Sequence, residues 1–496
     1  MIFFVKLQQL FLIPSLAKHT IEFPKSLNDL EFTDVTANSK NASAAAVFVA
    51  YIGAKSDGHQ YVENAIQNGA LVLVVEDIAK VPTDYPGLAI QVQNGKKVLS
   101  ELAAQLYGHP SKKLTCFGVT GTNGKTSMTY LIEHFLSCEG QRVGVIGTVD
   151  HRVAEKKWPT ELTTPEAPTL QKRLSEFLNE GARYAALEVS SHALEQERAA
   201  DVQFDVVIFT NLTLDHLDYH QTMQNYFQAK QKLFTDLLWS SKKIPRFAIV
   251  NIDDEYGRKL RVADNTLIWT YGTNKSADFC YKIVRSTIEG TEFDLQIKNE
   301  KFLVKSPLIG LHNVANVVAA LAAVTSIGVA LRKGLKYVEL FAGIPGRLQR
   351  VTESTKRIFV DYAHTPDALE NTLKTVSGLK AGNKLITIFG CGGDRDKTKR
   401  PLMAAIAEKY SDQVIVTSDN PRSEDPLQII DDIKAGFKNT TSIIIEADRE
   451  KAIAQALRTA TREDIVVIAG KGHEDYQILG TQKIFFSDYQ IAIKYG

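Results

Sequence analysis

A chain of 496 residues is long enough for two to four domains. Its 44% hydrophobic and 23% charged content is ordinary for a globular protein and excludes a disordered or fibrous chain. A net charge of +1 supplies no field to gather nucleic acid, and four scattered cysteines (Cys116, Cys138, Cys280, Cys391) without metal-type spacing point to a reduced, cytoplasmic protein.

The chain opens on MIFFVKLQQLFLIPSLAKHT. Its short apolar runs are broken by Lys6, Gln8 and Gln9, so it cannot span a bilayer, and an amphipathic helix docked on the first domain is expected. A strand over Val47 to Gly53, a helix from about Gly58 to Asn68 ended by Gly69, and a second strand over Leu71 to Val75 make a small α/β unit. Residues Gly108 to Leu114 read as a linker.

Thr115 to Phe135 reads as buried strand, glycine-rich turn and helix. Gly121 and Gly124 let the backbone curl so that the N–H groups of Thr122 and Asn123 can turn toward an anion. Lys125 adds a positive charge for phosphates, Thr126 a hydroxyl for Mg²⁺, and the helix opening near Ser127 its positive dipole end. The strict G-x-x-x-x-G-K-[ST] pattern fails, because position 119 is Val, so the loop is a phosphate cradle of a particular sub-type.

The runs RVGVIGTV, YAALEVSS, FDVVIFTNL and FAIVNIDD alternate with helical stretches, which predicts a mainly parallel sheet with its chemistry at the carboxyl ends of the strands. Glu188 ends one strand and suits Mg²⁺. His216 follows another, in Asp215-His216; a lone histidine there would more often be a structural hydrogen-bonder. Lys230, in YFQAKQKLF, is by spacing alone a solvated helix lysine. Gly310 to Asn316 opens a helix of small residues, and Pro345-Gly346-Arg347 reads as a hinge.

Beyond it strand and helix alternate again, predicting a second, Rossmann-like sheet without a dinucleotide fingerprint. Polar residues gather after four of its strands: Asp361 and His364; Arg395; Asp419-Asn420-Pro421-Arg422; Gly470 to Glu474. Four such ends suggest a pocket for a small zwitterion.

Taken together, TGTNGKT, the Asn-Leu-x-x-Asp-His-Leu-Asp-x-His run, Ala229-Lys230 and Asp419-Asn420-Pro421-Arg422, in this order, resemble the Mur ligase family, ATP-dependent enzymes that join an amino acid to a carboxylate. The resemblance implies three α/β domains: a uridine-binding domain at 1–110, a central ATP-binding domain with a mainly parallel sheet at 111–345, and an amino-acid-binding Rossmann-like domain at 346–496 that swings in over ATP. It implies that Ser39, Ala54, Lys55 and Ser56 lie at the uridine end of a UDP-sugar, although Asn38-Ser39-Lys40 stands where the family usually has Asp-Ser-Arg. It implies that Thr163, Thr164, Ser190, Gln196 and Arg198 touch the sugar–peptide. Two Mg²⁺ ions would be held by Thr126, Glu188, His216 and a CO₂-derived carbamate on Lys230. His312, Asn313 and Asn316 would lie near the adenine, and Arg347, Asp361 and His364 near ATP. Arg395, Asp419, Asn420, Pro421, Arg422, Gly470 and Glu474 would hold the incoming amino acid. The implied reaction adds meso-2,6-diaminopimelate to UDP-N-acetylmuramoyl-L-alanyl-D-glutamate through an acyl phosphate, in peptidoglycan precursor synthesis. Lysine addition, a MurF-type ligase and folylpolyglutamate synthase are the alternatives within the superfamily, and a P-loop switch protein the alternative outside it. A monomer is expected.

Overall fold

The computed structural model describes residues 4–17, 24–27, 30–53, 56–439, 441 and 443–496. The chain forms two compact units, one of Met1–Thr270 with Ala322–Gly328, the other of Tyr271–Leu321 with Val329–Gly496. Among the described residues no helix is long and apolar enough to cross a membrane.

Among the described residues the first unit is built on two main sheets. The smaller has four parallel strands in chain order, Asp34–Thr36, Ala46–Ala50, Val72–Val75 and Leu88–Gln91. Helix Gly95–Leu106 covers one face. Asn94 caps it by accepting from the Lys97 amide, and Val98, Leu99, Leu102 and Leu106 point into the core at helical spacing. The expected N-terminal helix is a single turn, Leu7–Leu10, preceded by a strand Val5–Lys6 that pairs with Glu31–Phe32. Pro14 opens a separate 3₁₀ turn, which prevents a longer helix. Leu7, Leu10, Phe11, Ile13 and Leu16 are nevertheless buried in the same core as Val98 and Leu102, so the apolar segment docks as expected.

In the larger sheet five strands run parallel, in the spatial order Val143–Ile146, Tyr184–Glu188, Thr115–Thr120, Val206–Phe209 and Phe247–Asn251. A hairpin, His151–Val153 and Lys156–Trp158, extends one edge antiparallel. Thr115–Thr120 is the middle strand, fully walled by apolar neighbours, and its carboxyl end opens where ligands bind in such sheets.

The second unit begins with an antiparallel meander, Phe279–Thr287, Gly290–Ile297 and Glu300–Ser306, which departs from the mainly parallel expectation. Its register puts Phe279, Tyr281, Phe293, Leu295 and Val304 on one buried face. The expected Rossmann-like sheet follows. Its order is Gln349–Arg350, Arg357–Asp361, Ile465–Ala469, Leu385–Phe389, Gln413–Val416 and Ile443–Ile445, with every pairing parallel except the first. Residues 345–347, the expected hinge, lie within this unit.

Candidate active site

The glycine-rich loop spans Gly121 to Gly124, between strand Thr115–Thr120 and helix Lys125–Cys138. Gly121 has φ +150°, and a Cβ on it would stand 1.9 Å from the Thr210 Oγ1. Gly124 caps the helix in the left-handed conformation. The turn is braced by the segment after strand Val206–Phe209. The Thr122 amide donates to the Asn211 carbonyl at 2.9 Å, the Asn123 amide to Asn211 Oδ1 at 2.9 Å, and Thr210 Oγ1 to the Asn123 carbonyl at 2.6 Å, so these two amides brace the loop instead of turning toward an anion as expected. Lys125 folds its Nζ back onto the Gly121 and Thr122 carbonyls at 2.9 and 2.8 Å. Thr126 and Ser127 open the helix and are both buried.

Lys230 stands beside this loop, where the resemblance places it. Only 1% exposed, it donates its Nζ to the Gly121 carbonyl at 2.8 Å and lies 4.5 Å from the centre of the Tyr226 ring. Burial, with Lys125 nearby, holds its amine well below the usual lysine range. The solvated lysine suggested by spacing alone is therefore excluded. Directly after its helix the chain winds one π-helical turn, Leu233–Leu237, a form often found at functional sites.

Around Lys230 stands an aromatic cluster that the sequence did not reveal. The Tyr226 hydroxyl lies 3.2 Å from Thr122 Oγ1, and its ring stacks on His220 at 5.1 Å. His220 Nε2 shares a 2.9 Å hydrogen bond with Ser191 Oγ. His192 lies edge-on to His216 at 4.9 Å, and burial beside His216 and His220 pushes it down to about 4. His216 is left-handed at φ +53° and keeps 45% of its side chain in solvent.

Glu188 ends strand Tyr184–Glu188 with 1% exposure, and its two oxygens accept from the Thr148 amide at 2.9 Å and the Thr148 hydroxyl at 3.0 Å. Thr148 also bonds Thr163 Oγ1 at 3.1 Å. Thr164 Oγ1 receives the Ser190 amide at 3.0 Å, and Arg198 donates to the Thr164 carbonyl and to Gln196 at 3.0 and 2.5 Å. Thr163, Thr164, Ser190, Gln196 and Arg198 thus come together beside Glu188. Elsewhere in the unit, Asn38 caps a short 3₁₀ turn, Ser39–Asn41, and Ser56 is exposed. Ala54 and Lys55 lie outside the described residues.

In the second unit the four polar strand ends are neighbours, because their strands are adjacent. Lys471 is fully buried among them. Its Nζ lies 3.1 Å from both Asn420 Oδ1 and Glu474 Oε2 and 4.0 Å from Asp419 Oδ1. Asn420 also donates to Glu474 at 2.9 Å. A Cβ on Gly470, at φ +114°, would lie 2.6 Å from Asp419 Oδ2, so glycine lets this carboxylate approach. Pro421 leads into Arg422, whose Nη1 donates to the Gly393 carbonyl at 2.8 Å, while Arg395 is exposed at the rim. Asp361 is buried, and burial raises it despite Arg347. It accepts from the Leu348 and Ala363 amides at 2.6 and 2.9 Å and from the Thr372 hydroxyl at 3.0 Å. It thereby fixes the turn carrying Arg347, whose guanidinium lies 4.8 Å from the Tyr362 ring centre. His364 Nδ1 donates to the Tyr362 carbonyl at 2.8 Å. His312 is exposed at a helix start, where Asn313 bonds the Ile309 carbonyl at 2.9 Å and Asn316 is buried.

Family models cover most of this chain. Residues 31–107 match the Mur ligase family catalytic domain, 119–324 the Mur ligase middle domain, and 346–472 the Mur ligase glutamate ligase domain. The chain belongs to the Mur ligase family. It is 43% identical over 471 residues to the UDP-N-acetylmuramoyl-L-alanyl-D-glutamate–2,6-diaminopimelate ligase of Thermosynechococcus vestitus, with 93% of this chain and 92% of that one covered. The ligase of the same name from Aquifex aeolicus is 42% identical, with 92% of each chain covered. A solved structure of a ligase of that name superimposes with a TM-score of 0.71 at 33% identity, covering 99% of this chain and 98% of that one.

As a Mur ligase the chain is an enzyme, an ATP-dependent one that makes an amide bond. Among the described residues no three of His, Cys, Asp and Glu converge as a metal cluster. Glu188 and the Thr126 hydroxyl are oxygen groups of the kind Mg²⁺ prefers, and both are buried. Lys471, Tyr226 and Thr148 went unremarked in the sequence, although Lys471 sits inside the Gly470 to Glu474 motif.

Proposed function

We propose that the chain joins meso-2,6-diaminopimelate to the D-glutamyl carboxylate of UDP-N-acetylmuramoyl-L-alanyl-D-glutamate, converting ATP to ADP and phosphate. The observation that carries this reading is Lys230, a buried amine gripping the Gly121 carbonyl of a phosphate loop. The γ-phosphoryl group moves to the substrate carboxylate and gives an acyl phosphate. The diaminopimelate amine then attacks its carbonyl carbon and phosphate leaves. Residues 1–110 would take the uridine end, 111–345 ATP and 346–496 the amino acid, in the cytoplasm.

Lys125 and the amino end of helix Lys125–Cys138 orient the phosphates and stabilise charge that develops in transfer. Lys230 fits carbamate formation, because a desolvated neutral amine is the nucleophile that CO₂ requires. Thr126, Glu188, His216 and that carbamate would hold Mg²⁺, which neutralises phosphate charge when bound. Thr163, Thr164, Ser190, Gln196 and Arg198 would position the sugar–peptide carboxylate. Lys471 holds Asp419, Asn420 and Glu474 as an acceptor set for an ammonium group, while Arg422 offers a planar fork to the far carboxylate of diaminopimelate.

Phosphate release by the purified chain should be nearly silent with ATP alone and rise only when both the UDP-sugar peptide and meso-diaminopimelate are present. Substrate-independent ATPase activity of equal rate would overturn the reading in favour of a switch protein.

A further inference from the structure

Arg422 does not hold its place by itself. It has φ +52°, a left-handed conformation that a residue with a Cβ keeps only when its surroundings impose it. The imposing element is a hairpin, Tyr476–Leu479 and Gln482–Phe485. The Arg422 amide donates to the Ile478 carbonyl at 3.1 Å, and the Arg422 carbonyl accepts from the Gly480 amide at 2.9 Å. Earlier in the turn, Asn420 Oδ1 accepts from the Ile478 amide at 3.0 Å. Gln477, buried in the same strand, donates its Nε2 to the Asp419 carbonyl at 2.7 Å. The Asp419–Arg422 turn thus lies along the hairpin much as an added strand would, with Arg422 and Leu479 bridged in parallel.

We propose that Gln477 is a positioning residue for amino-acid specificity: by anchoring the Asp419 carbonyl to the hairpin it fixes the Arg422 guanidinium where a second carboxylate can be read. This rests on the reading of Arg422 as the group that meets the far carboxylate of diaminopimelate. Bidentate recognition of a carboxylate needs both the distance and the plane of the guanidinium to be right. One side of the Arg422 fork is already committed to the Gly393 carbonyl, so the aim of its other donors depends on where the backbone of the turn sits. With the Asp419 carbonyl unpaired the turn can drift. Diaminopimelate then loses its distinguishing contact, while lysine, which has no second carboxylate, loses nothing.

The test uses the full chain and competes meso-diaminopimelate against L-lysine, reading the ratio of their kcat/KM values. Gln477→Met keeps side-chain bulk and removes the donor. The two amino acids are compared in one preparation, so any loss of folded enzyme cancels in the ratio. The diaminopimelate preference should fall about tenfold in Gln477→Met, through a higher KM for diaminopimelate with that for ATP unchanged. Combined with Arg422→Ala, it should lower the ratio no further than Arg422→Ala alone. A wild-type ratio in Gln477→Met while Arg422→Ala lowers it, or a further drop in the double variant, would overturn the proposal and leave the role of Arg422 standing. A wild-type ratio in Arg422→Ala would instead overturn that role, and the proposal with it.

Discussion

Lys230 Nζ and the Gly121 carbonyl are hydrogen-bonded at 2.8 Å across 109 residues of sequence. The bond ties the helix Met223–Lys232 to the first glycine of the loop, and it keeps the amine buried beside that loop, where the proposed carbamate would stand. Lys230→Ala should abolish most turnover, and acetate should restore part of it by supplying a carboxylate to the vacated space. Wild-type turnover in Lys230→Ala would show that the amine has no part in the chemistry.

Lys125→Ala and Thr126→Ala should each slow phosphoryl transfer by about 10²–10³, the usual loss when one preorganised group facing developing charge is removed. Single-turnover formation of ADP is the measurement, because it separates transfer from product release.

Gly121→Ala should be worse than either, for a different reason. Its Cβ would meet Thr210 Oγ1 at 1.9 Å and the Asn211 carbonyl at 3.0 Å, and φ +150° is already a glycine conformation. The loop must therefore open, and nucleotide binding measured by calorimetry should be lost. Retained binding would mean that the loop has slack the geometry does not show.

Asp201 gives a dependence on pH. Burial, with Glu101 adding to it, raises its carboxyl to about 7. Between the ordinary carboxylate range and that value the folded chain holds a proton that the unfolded chain has lost, so stability falls as pH rises through this window. Asp201→Asn should melt higher than wild type at pH 8, and the gap should close toward pH 4. A constant gap at all pH values would assign the effect to packing instead.

Arg449 and Asp488 form a fully buried pair, with Nε and Nη2 at 2.8 and 2.7 Å from the two carboxylate oxygens. Arg449 also donates to the Ser418 and Ala469 carbonyls, just before Asp419 and Gly470. Asp488→Ala strands the guanidinium and should cost about 3–5 kcal/mol in denaturant unfolding.

The parts legible in the sequence are those whose signal is local. Gly121 and Gly124 mark the loop because the turn itself demands them. Glu188 and Asp419 stand out because each follows an apolar run. The meander over 279–306 was not legible. Val284 and Leu303 are 55% and 58% exposed, so apolar residues fall on both faces and blur the period of two. Tyr226 and Gln477 were hidden by distance, since their partners Thr122 and Asp419 lie 104 and 58 residues away. Lys230 shows the same limit: its burial is imposed by the loop it meets, and nothing in YFQAKQKLF announces it.

In the second unit the strand Ile465–Ala469, formed late in the chain, lies between Arg357–Asp361 and Leu385–Phe389, which are formed early. During synthesis those two early strands have no common neighbour until roughly eighty further residues have been made, at rates of about 5–20 residues per second. For those seconds two apolar strand edges stand unpaired, which is the condition under which nascent sheets aggregate or recruit chaperones. A stop codon anywhere before residue 465 would leave the gap open for good. The strand ends at Asp361, Asp419 and Gly470 are thus brought together last, and a chain that stops before residue 465 carries Asp361 and Asp419 but neither the strand between their two sides nor Gly470.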